Sequence, residues 1–208
     1  MLIVDYLDVC IANCSKPRKN LSAADITNTI NTSVSFLGIF VNKVQMIIRH
    51  GIENDLPAIV AIYNASIPSR MATADLEPVS VASRVDWLRK RSPNKHPLWV
   101  VEIEGEIAGW LSFQPFYGRP AYHATAEVSI YIASEYHRRG LGKRLLAEAI
   151  RCSPSLGLNT MIGFIFGHNE ASLKLFEKFG FERWGHLPGI ADIDGVERDL
   201  VILGLRVG

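Results

Sequence analysis

The stretch from Tyr136 to Lys143 combines residue types that could hold a phosphorylated ligand. It reads Y-H-R-R-G-L-G-K, and its two glycines lie among basic side chains. Glycine allows a tight turn, and the N–H groups that begin a helix lack partners within it, so they can point at an anion. The nearby positive charge adds to this attraction. We expect the loop to bind a diphosphate through Arg138, Arg139, Gly140, Leu141, Gly142 and Lys143.

The sequence around this loop indicates how it is positioned. Glu127 to Ile132 alternates as a buried strand does, and apolar residues recur with helical spacing from Leu141 to Ile150. The glycines therefore lie where a strand turns into a helix. Because glycine lacks a side chain, we expect a larger residue at Gly142 to obstruct the phosphate.

A second segment, from Asn169 to Phe181, also has the pattern of a helix. It reads N-E-A-S-L-K-L-F-E-K-F-G-F, with apolar residues on one side. Asn169 is a suitable N-cap, and Gly180 is suited to the position just after the helix. We therefore expect a helix over 170–179, followed by a strand.

Composition excludes several classes of protein. Lysine plus arginine number 22 and aspartate plus glutamate number 21, so there is no overall basic field to attract nucleic acid. Three cysteines, Cys10, Cys14 and Cys152, are too few for a disulfide framework. Cys10 and Cys14 also lack a second pair of ligands nearby, so we expect no metal site.

The beginning of the chain differs from the rest. The longest apolar run there is too short to span a membrane, and Asp5 and Asp8 do not fit a signal peptide, so we expect a cytoplasmic protein. Residues 1–45 show no sustained periodicity, whereas Met46 begins a strand that leads to a helix capped by Asn54 or Asp55. We expect a poorly packed extension over 1–45, introduced by an upstream start assignment, and a folded domain over 46–208.

The rest of the chain alternates between the two kinds of element. Ser80 is a suitable cap for a second helix, and Glu104-Gly105 predicts a hairpin turn between apolar runs. This order predicts an α/β (α+β) fold with a mixed sheet and helices on its faces. The expected strands are 46–50, 98–103, 106–114, 124–132, 160–166, 181–186 and 197–205, and the expected helices are 55–66, 80–92, 141–152 and 170–179.

The loop and the second segment, in this order, resemble the GNAT superfamily of acyl-CoA N-acetyltransferases. The family loop is Q/R-x-x-G-x-G/A, and the chain has His137-x-x-Gly140-x-Gly142, so its first position departs from the pattern. The second family element is matched at Asn169, Ser172, Phe176, Gly180 and Phe181. The resemblance covers residues 46–206 and implies a mostly antiparallel sheet, acetyl-CoA as cosubstrate and no metal. It also implies cofactor contacts from Ile130, Tyr131, Ile132, Asn169 and Ser172.

A narrower resemblance lies between Trp110 and Ile132. This segment reads W-L-S-F-Q-P-F-Y-G-R-P-A-Y-H-A-T-A-E-V-S-I-Y-I. It is similar to the phosphinothricin and methionine sulfoximine N-acetyltransferases, which carry P-F-x-x-R/F and E-x-S-V/I-Y segments. The resemblance implies a homodimer that acetylates the α-amino group of a small amino acid or analogue, of the phosphinothricin, methionine sulfoximine or methionine sulfone type.

Acetyl transfer to an amine needs a group that removes a proton from the ammonium form. Glu127 begins the strand that leads to the loop, so we expect it to be this base. The carboxylate of an amino acid requires a forked cationic partner, for which Arg119 is the candidate. Phe116, Tyr122 and Thr125 are candidates for walls or hydrogen-bond partners.

The sequence leaves the identity of the general acid open. Many members of the resembled family use a tyrosine on the last helix, where this chain has Phe176. Tyr131, Tyr136 or the proton released by the amine remain as sources.

Two other functions also stay open. One is acetylation of protein N-termini or basic antibiotics, and the other is a binding module that holds acyl-CoA without turnover. The acidic residues between Asp192 and Asp199 could attract a cationic substrate, but their flanking glycines are typical of a solvated hairpin loop. Glu127 and Arg119 argue against a module without catalysis.

Overall fold

The computed structural model describes residues 45–207, so the expected extension over 1–45 lies outside the described residues except for Gln45. Seven strands and four helices make up the described part. The strands are β1 (Met46–His50), β2 (Leu98–Ile103), β3 (Glu106–Pro115), β4 (Thr125–Ile132), β5 (Thr160–Phe166), β6 (Glu182–Ile193) and β7 (Val196–Arg206). The helices are α1 (Leu56–Ser66), α2 (Val81–Arg89), α3 (Leu141–Cys152) and α4 (Glu170–Lys178). Short 3₁₀ turns lie at Glu53–Asp55, Ile67–Ser69, Pro120–Tyr122, Ser134–Tyr136 and Ser153–Leu156.

The strands form one mixed sheet in the order β1-β2-β3-β4-β5-β7-β6. Among the described strands, β4 and β5 run parallel and the other neighbours run antiparallel. The expected mixed, mostly antiparallel sheet with flanking helices is therefore confirmed. The Ser80 cap is confirmed as well, since its hydroxyl accepts a hydrogen bond from the Ser83 N–H at 3.2 Å. Asp55 occupies the N-cap position of α1, but its carboxylate accepts from Arg49 and from the Ile52 N–H and makes no capping bond to the helix.

Strand β6 is longer than the sequence indicates, because the expected strand ended at residue 186. Its pairing with β7 shifts register between Arg183 and Gly185 and again between Leu187 and Ala191. Pro188 and Gly189 lie inside the second irregularity, and Gly189 has a φ of 59°. Proline and a glycine with positive φ are typical of an edge strand with a bulge, and they interrupt the alternation that predicts a strand.

The two faces of the sheet bury different helices. Successive strand residues point to opposite faces. Leu111 and Phe113 therefore pack with α3 and α4 in the larger core, whereas Trp110 packs with α1 and α2 in a second core. Apolar residues of α3, including Leu145 and Leu146, are fully buried in the larger core. The sheet thus separates two layers that the active site has to connect.

The parallel pair β4 and β5 separates after a short ladder. Register pairs join Thr125 with Thr160, Ala126 with Met161 and Glu127 with Ile162. Beyond Glu127, β4 continues to Ile132 but in the described sheet it pairs only with β3. Over this stretch the backbone groups of β4 that face β5 have no strand partner, although the Ile132 carbonyl accepts from His137. The resulting opening runs from Glu127 towards the glycine loop.

Candidate active site

A pocket of about 210 Å³ lies between α1, α2 and one face of the sheet. Strand alternation and the β3–β4 register bring three cross-strand pairs onto this face: Trp110 with Tyr131, Ser112 with Ser129, and Gln114 with Glu127. The pocket is lined by Ile59, Val60, Tyr63, Val79, Arg84, Trp87, Trp110, Ser112, Gln114, Glu127, Ser129 and Tyr131.

Glu127 lies half-buried in this pocket, at the last paired position before β4 and β5 separate. Burial raises the pKa of Glu127, because the charged carboxylate loses solvation. A hydrogen bond from the Ser129 hydroxyl, 3.4 Å from Oε1, and the positive charge of Arg91 offset part of this rise. The carboxyl group is therefore a stronger proton acceptor than an exposed glutamate.

Arg91 lies beside the pocket without lining it. Its Nη1 donates a hydrogen bond to the Phe113 carbonyl at 2.7 Å, and its guanidinium lies 4.5 Å from the centre of the Trp87 ring. Burial lowers the pKa of Arg91 to about 10, so the side chain still carries its charge near neutral pH. Arg91 therefore supplies a fixed positive charge from behind the pocket wall.

Aromatic side chains form a rigid wall of the pocket. The Trp110 ring stacks on Tyr131 with centroids 4.4 Å apart, and Tyr63 meets Tyr131 edge-on at 5.1 Å. The Trp110 indole N–H donates to the Ile59 carbonyl at 3.1 Å, and the Tyr131 hydroxyl donates to the Ala72 carbonyl at 3.1 Å. Burial raises the pKa of Tyr131, so its phenol stays protonated.

The segment between α1 and α2 is fastened over the pocket by side chains from other elements. Tyr63 hydrogen-bonds with Thr73 at 2.6 Å and donates to Asp75 at 2.5 Å. The side-chain amide of Asn64 donates to the Val79 carbonyl at 2.9 Å and accepts from the Val79 N–H at 3.0 Å. With the Tyr131 contact, these bonds hold the segment at both ends.

The glycine loop has the strand-to-helix geometry that the sequence predicts. Gly140 is the N-cap of α3 and has a φ of 77°, a left-handed conformation that favours glycine. The N–H groups of the residues that follow cannot bond within the helix, and no hydrogen bond between described residues uses those of 138–143. Arg138, Arg139 and Lys143 are exposed around them, whereas the Leu141 side chain is buried in the core. Leu141 can therefore serve only through its backbone.

His137 occupies the position where the sequence departs from the family loop. Its Nε2–H donates to the Ile132 carbonyl at 2.9 Å, which ties the loop entrance to the end of β4. The side chain therefore supports the loop structurally.

Gly142 lies where α3 approaches α4. A Cβ at this position would lie 3.4 Å from the Leu175 side chain of α4. The missing side chain therefore allows a close approach of the two helices, and its role in leaving space for the phosphate stays a prediction.

Asn169 is the N-cap of α4, as the sequence predicts. Its Oδ1 accepts from the Ser172 N–H at 3.1 Å, and its Nδ2 donates to the Met71 carbonyl at 2.9 Å. Both ends of the amide are thus engaged in holding α4 and the segment over the pocket. Ser172 is half-buried in the first turn of α4.

The remaining candidates from the sequence, apart from Tyr131, lie outside the lining of the pocket. Arg119 is exposed in the connection between β3 and β4. Phe116 packs against Tyr122, with ring centroids 5.3 Å apart, and the Thr125 carbonyl accepts from the Phe116 N–H at 3.3 Å. Ile130, Tyr131 and Ile132 lie on the part of β4 that has separated from β5.

Arg84 and Ser112 are among the lining residues that the sequence reasoning missed. Arg84 shares a face of α2 with buried Leu88 at i and i+4, a position where an arginine is unexpected. Ser112 alternates with buried residues on β3 and so faces the same side as Trp110. A polar residue at a core-facing position is the signal that could have found both.

The sequence matches the acetyltransferase (GNAT) family over residues 59–181. The chain belongs to the GNAT family. The GNAT fold expected from the loop and the second segment is thereby confirmed, as is acetyltransferase activity as the class of this enzyme.

Three relatives resemble this GNAT enzyme over most of their length. YwnH of Bacillus subtilis (strain 168), provisionally named a phosphinothricin acetyltransferase, is 53% identical over 160 residues, covering 76% of this chain and 98% of YwnH. The L-methionine sulfoximine/L-methionine sulfone acetyltransferase of Pseudomonas paraeruginosa is 32% identical, covering 74% of this chain and 90% of its own. The crystal structure of a GNAT superfamily phosphinothricin acetyltransferase from Sinorhizobium meliloti, in complex with AcCoA, is 29% identical with a TM-score of 0.74, covering 78% of this chain and 89% of that one.

The last helix of this GNAT enzyme has no phenol at the position of Phe176. The Phe176 ring is buried against Gly163, where an added Cβ would lie 2.8 Å from the ring, and its centroid is 4.8 Å from that of Phe181. Of the two tyrosines considered from the sequence, Tyr131 lines the pocket and Tyr136 lies at the loop, with the Arg139 guanidinium 5.1 Å from its ring centre.

Residues 45–207 contain no cluster of three or more histidine, cysteine or acidic side chains arranged to hold a metal ion. In the same part of the chain, no helix has the length and apolar character needed to cross a membrane.

Proposed function

We propose that this GNAT enzyme transfers the acetyl group of acetyl-CoA to the α-amino group of a small amino acid or analogue of the phosphinothricin, methionine sulfoximine or methionine sulfone type. One observation carries the proposal: a half-buried Glu127 lies in a small aromatic pocket at the point where β4 and β5 separate towards the glycine loop. This arrangement supports Glu127 as a proton acceptor between a chamber for a small amine and a channel for a longer ligand. The names of the relatives support the same substrate class.

The loop and the separated strand have the groups needed to hold acetyl-CoA. Free N–H groups at the start of α3 and exposed basic side chains from Arg138 to Lys143 suit the diphosphate. By strand alternation, Ile130 and Ile132 direct their backbone groups towards the open edge of β4, whereas the Tyr131 backbone faces β3. Apart from the Ile132 carbonyl, which accepts from His137, these groups can offer hydrogen bonds to the amide-bearing arm. Asn169 and Ser172 hold the neighbouring start of α4. When bound, acetyl-CoA supplies an activated thioester as the acetyl donor.

Glu127 prepares the acceptor amine for attack. It accepts a proton from the α-ammonium group, directly or through water, and leaves the neutral amine. The raised pKa brings the carboxyl group closer to that of the amine and so eases the transfer. Tyr131 is one of two phenols that line the pocket, the other being Tyr63, and its raised pKa keeps it in the protonated form that a general acid requires.

The connection between β3 and β4 borders the acceptor side of the site. It begins after Gln114 and ends before Glu127, and both of these residues line the pocket. We therefore retain Phe116, Tyr122 and Thr125 as candidates for contact with the substrate at the entrance.

The surroundings of the enzyme follow from the same proposal. With a formal net charge of +1, the chain has no electrostatic reason to bind nucleic acid. A cytoplasmic location would give the enzyme access to acetyl-CoA and free amino acids.

Apolar side chains are exposed along edge strand β6 and the start of β7, with Trp184 45%, Ile190 61% and Val196 48% accessible. We propose that a second copy of the chain covers this edge in a homodimer.

An acceptor screen tests the function. Thiol release from acetyl-CoA should be fast with methionine sulfoximine, methionine sulfone or phosphinothricin, and slow with an aminoglycoside or a peptide bearing a free N-terminus. Mass spectrometry should locate the acetyl group on the α-nitrogen. Turnover confined to peptides or aminoglycosides would contradict the proposed substrate class, and acetyl-CoA binding without turnover of any amine would contradict catalysis.

The glycine loop is tested by Gly140→Ala. A residue other than glycine in the left-handed conformation costs about 1–2 kcal/mol, so the turn should relax and misdirect the N–H groups behind it. We expect the KM for acetyl-CoA to rise about 10-fold or more, as when hydrogen bonds to a charged group are weakened. Gly157→Ala is the matched control, because Gly157 has a φ of 70° and equally open space but lies beyond the other end of α3. Equal KM changes in both variants would remove the loop from the site.

The base is tested by Glu127→Gln. We expect kcat to fall roughly 10²–10⁴-fold, as when a positioned proton acceptor is removed. In the native enzyme the carboxylate form is lost as pH falls through its raised pKa, so the acidic limb of the rate profile should lie above the range of an exposed glutamate and vanish in the variant. Ser129→Ala removes a hydrogen bond that favours the carboxylate, so it should move the limb to higher pH.

Glu106→Gln is the control for these measurements, because Glu106 is exposed at the far end of β3. If Glu127→Gln keeps both its turnover and its acidic limb, the base lies elsewhere.

The homodimer is tested by Ile190→Asp. A charge in the apolar edge of β6 should favour the monomer, which light scattering with size-exclusion chromatography will detect as a halved mass. Ile52→Asp is the matched control, since Ile52 is 53% exposed at the opposite end of the sheet, beyond β1. A dimer that persists in the Ile190 variant would place the interface on another surface.

A further inference from the structure

The pocket contains one side chain of each charge. Of its twelve lining residues, Arg84 is the only cation and Glu127 the only anion, within the described part of the chain. The remaining lining side chains are aromatic, aliphatic or neutral and polar. A ligand with a positive and a negative end would therefore find a complementary partner for each.

Arg84 is held in place from the side by aromatic rings. Its guanidinium lies 5.3 Å from the centre of the Tyr63 ring and 5.8 Å from that of Trp87. Such cation–π contacts orient an arginine without using its N–H donors. The guanidinium is thus positioned on the pocket wall before a ligand arrives.

The hydrogen-bonding capacity of Arg84 is largely unused. Its contact with Asp75 has an N–O distance of 3.5 Å, at the limit for a hydrogen bond, and Asp75 already accepts a bond of 2.5 Å from the Tyr63 hydroxyl. An arginine has five N–H donors arranged as a fork that fits a carboxylate. An entering carboxylate would therefore gain two good bonds at the expense of one poor contact.

The other two candidate arginines are less suited to this role. Arg91 is half-buried behind the wall, where it donates to the Phe113 carbonyl and stacks on Trp87. Arg119 is exposed in the β3–β4 connection and does not line the pocket. The carboxylate contact expected for Arg119 from the sequence thus has a better-placed donor in Arg84.

A second polar group in the pocket also lacks a partner. Ser112 is 1% exposed, and its hydroxyl has no hydrogen bond within the described structure although the residue lines the pocket. A buried hydroxyl without a partner is costly, so it indicates that a polar ligand completes the site.

We infer that Arg84 is the specificity-determining residue that binds the α-carboxylate of the acceptor while its amine faces Glu127. This inference rests on the proposed function and names the group that restricts it to amino acids. The fork would select acceptors with a carboxylate beside the amine and disfavour amines and amino-acid amides of the same size.

The test combines a variant with a matched pair of acceptors. The acceptors are methionine sulfone and its α-carboxamide, and the quantity is the ratio of their kcat/KM values. In the native enzyme the acid should be preferred about 10- to 150-fold, the range expected for hydrogen bonds to a charged group. Arg84→Gln should lower kcat/KM for the acid by a similar factor and leave the amide almost unchanged, so the preference disappears.

Three further variants make the outcome specific. Arg84→Lys keeps the charge but not the fork, and should lose part of the preference. Arg89→Gln on the same helix removes an exposed arginine that pairs with Glu53, and should keep the whole preference. Arg119→Gln should also keep it. Unchanged melting temperature and acetyl-CoA affinity will show that the Arg84 variants remain folded.

The outcomes separate this inference from the function on which it rests. A native enzyme that acetylates no amino acid would overturn the proposed function and the inference together. A native preference for the acid that persists unchanged in Arg84→Gln or Arg84→Lys would overturn the inference alone. Loss of the preference in Arg119→Gln instead would return the carboxylate contact to the β3–β4 connection.

Discussion

The separation of β4 from β5 is the constraint on which the rest of the site depends. A parallel pair inside a sheet would normally continue its ladder, because buried backbone groups require partners. Here the pairs end at Glu127 and Ile162, although both strands continue. The opening connects the two helix layers that the sheet otherwise separates. Glu127, the last paired residue of β4, lies at its inner end, and the glycine loop lies at its outer end.

The electrostatics of Glu127 follow from this placement. A half-buried carboxyl group on the face of a sheet, beside an aromatic wall, loses much of its solvation, and its pKa rises. Arg91 limits that rise from behind the wall, where its own burial and the Phe113 carbonyl fix its position. The pKa of Glu127 is thus set by two opposing effects, its own loss of solvation and the positive charge of Arg91.

Much of the architecture could be predicted because it depends on local sequence. The glycine loop, the Asn169 cap and the turn at Glu104-Gly105 each use residues whose backbone preferences are strong. The full length of β6 was not predicted, because Pro188 and Gly189 interrupt its alternation while pairing with β7 continues on either side.

The chemistry of the site was harder to predict than its backbone. Glu127 belongs to the strand that feeds the loop, so its position follows from a neighbouring motif. Arg84 reaches the pocket from α2, which lies far from β4 in the sequence and meets it only through tertiary packing. The approach of Gly142 to Leu175 was not predicted for a similar reason, because Leu175 lies on another helix.

The two helix layers support the binding sites of the acetyl donor and of the acceptor amine separately. The loop is fixed by α3, by its contact with α4 and by the His137 bond to the end of β4. The acceptor pocket is fixed by α1, α2 and the aromatic wall, and by hydrogen bonds to the segment above it. β4 belongs to both, since it carries Glu127 and Tyr131 into the pocket and ends at the loop. Changes on α2 can therefore alter which amine is accepted without disturbing the loop, whereas changes on β4 should affect both substrates together.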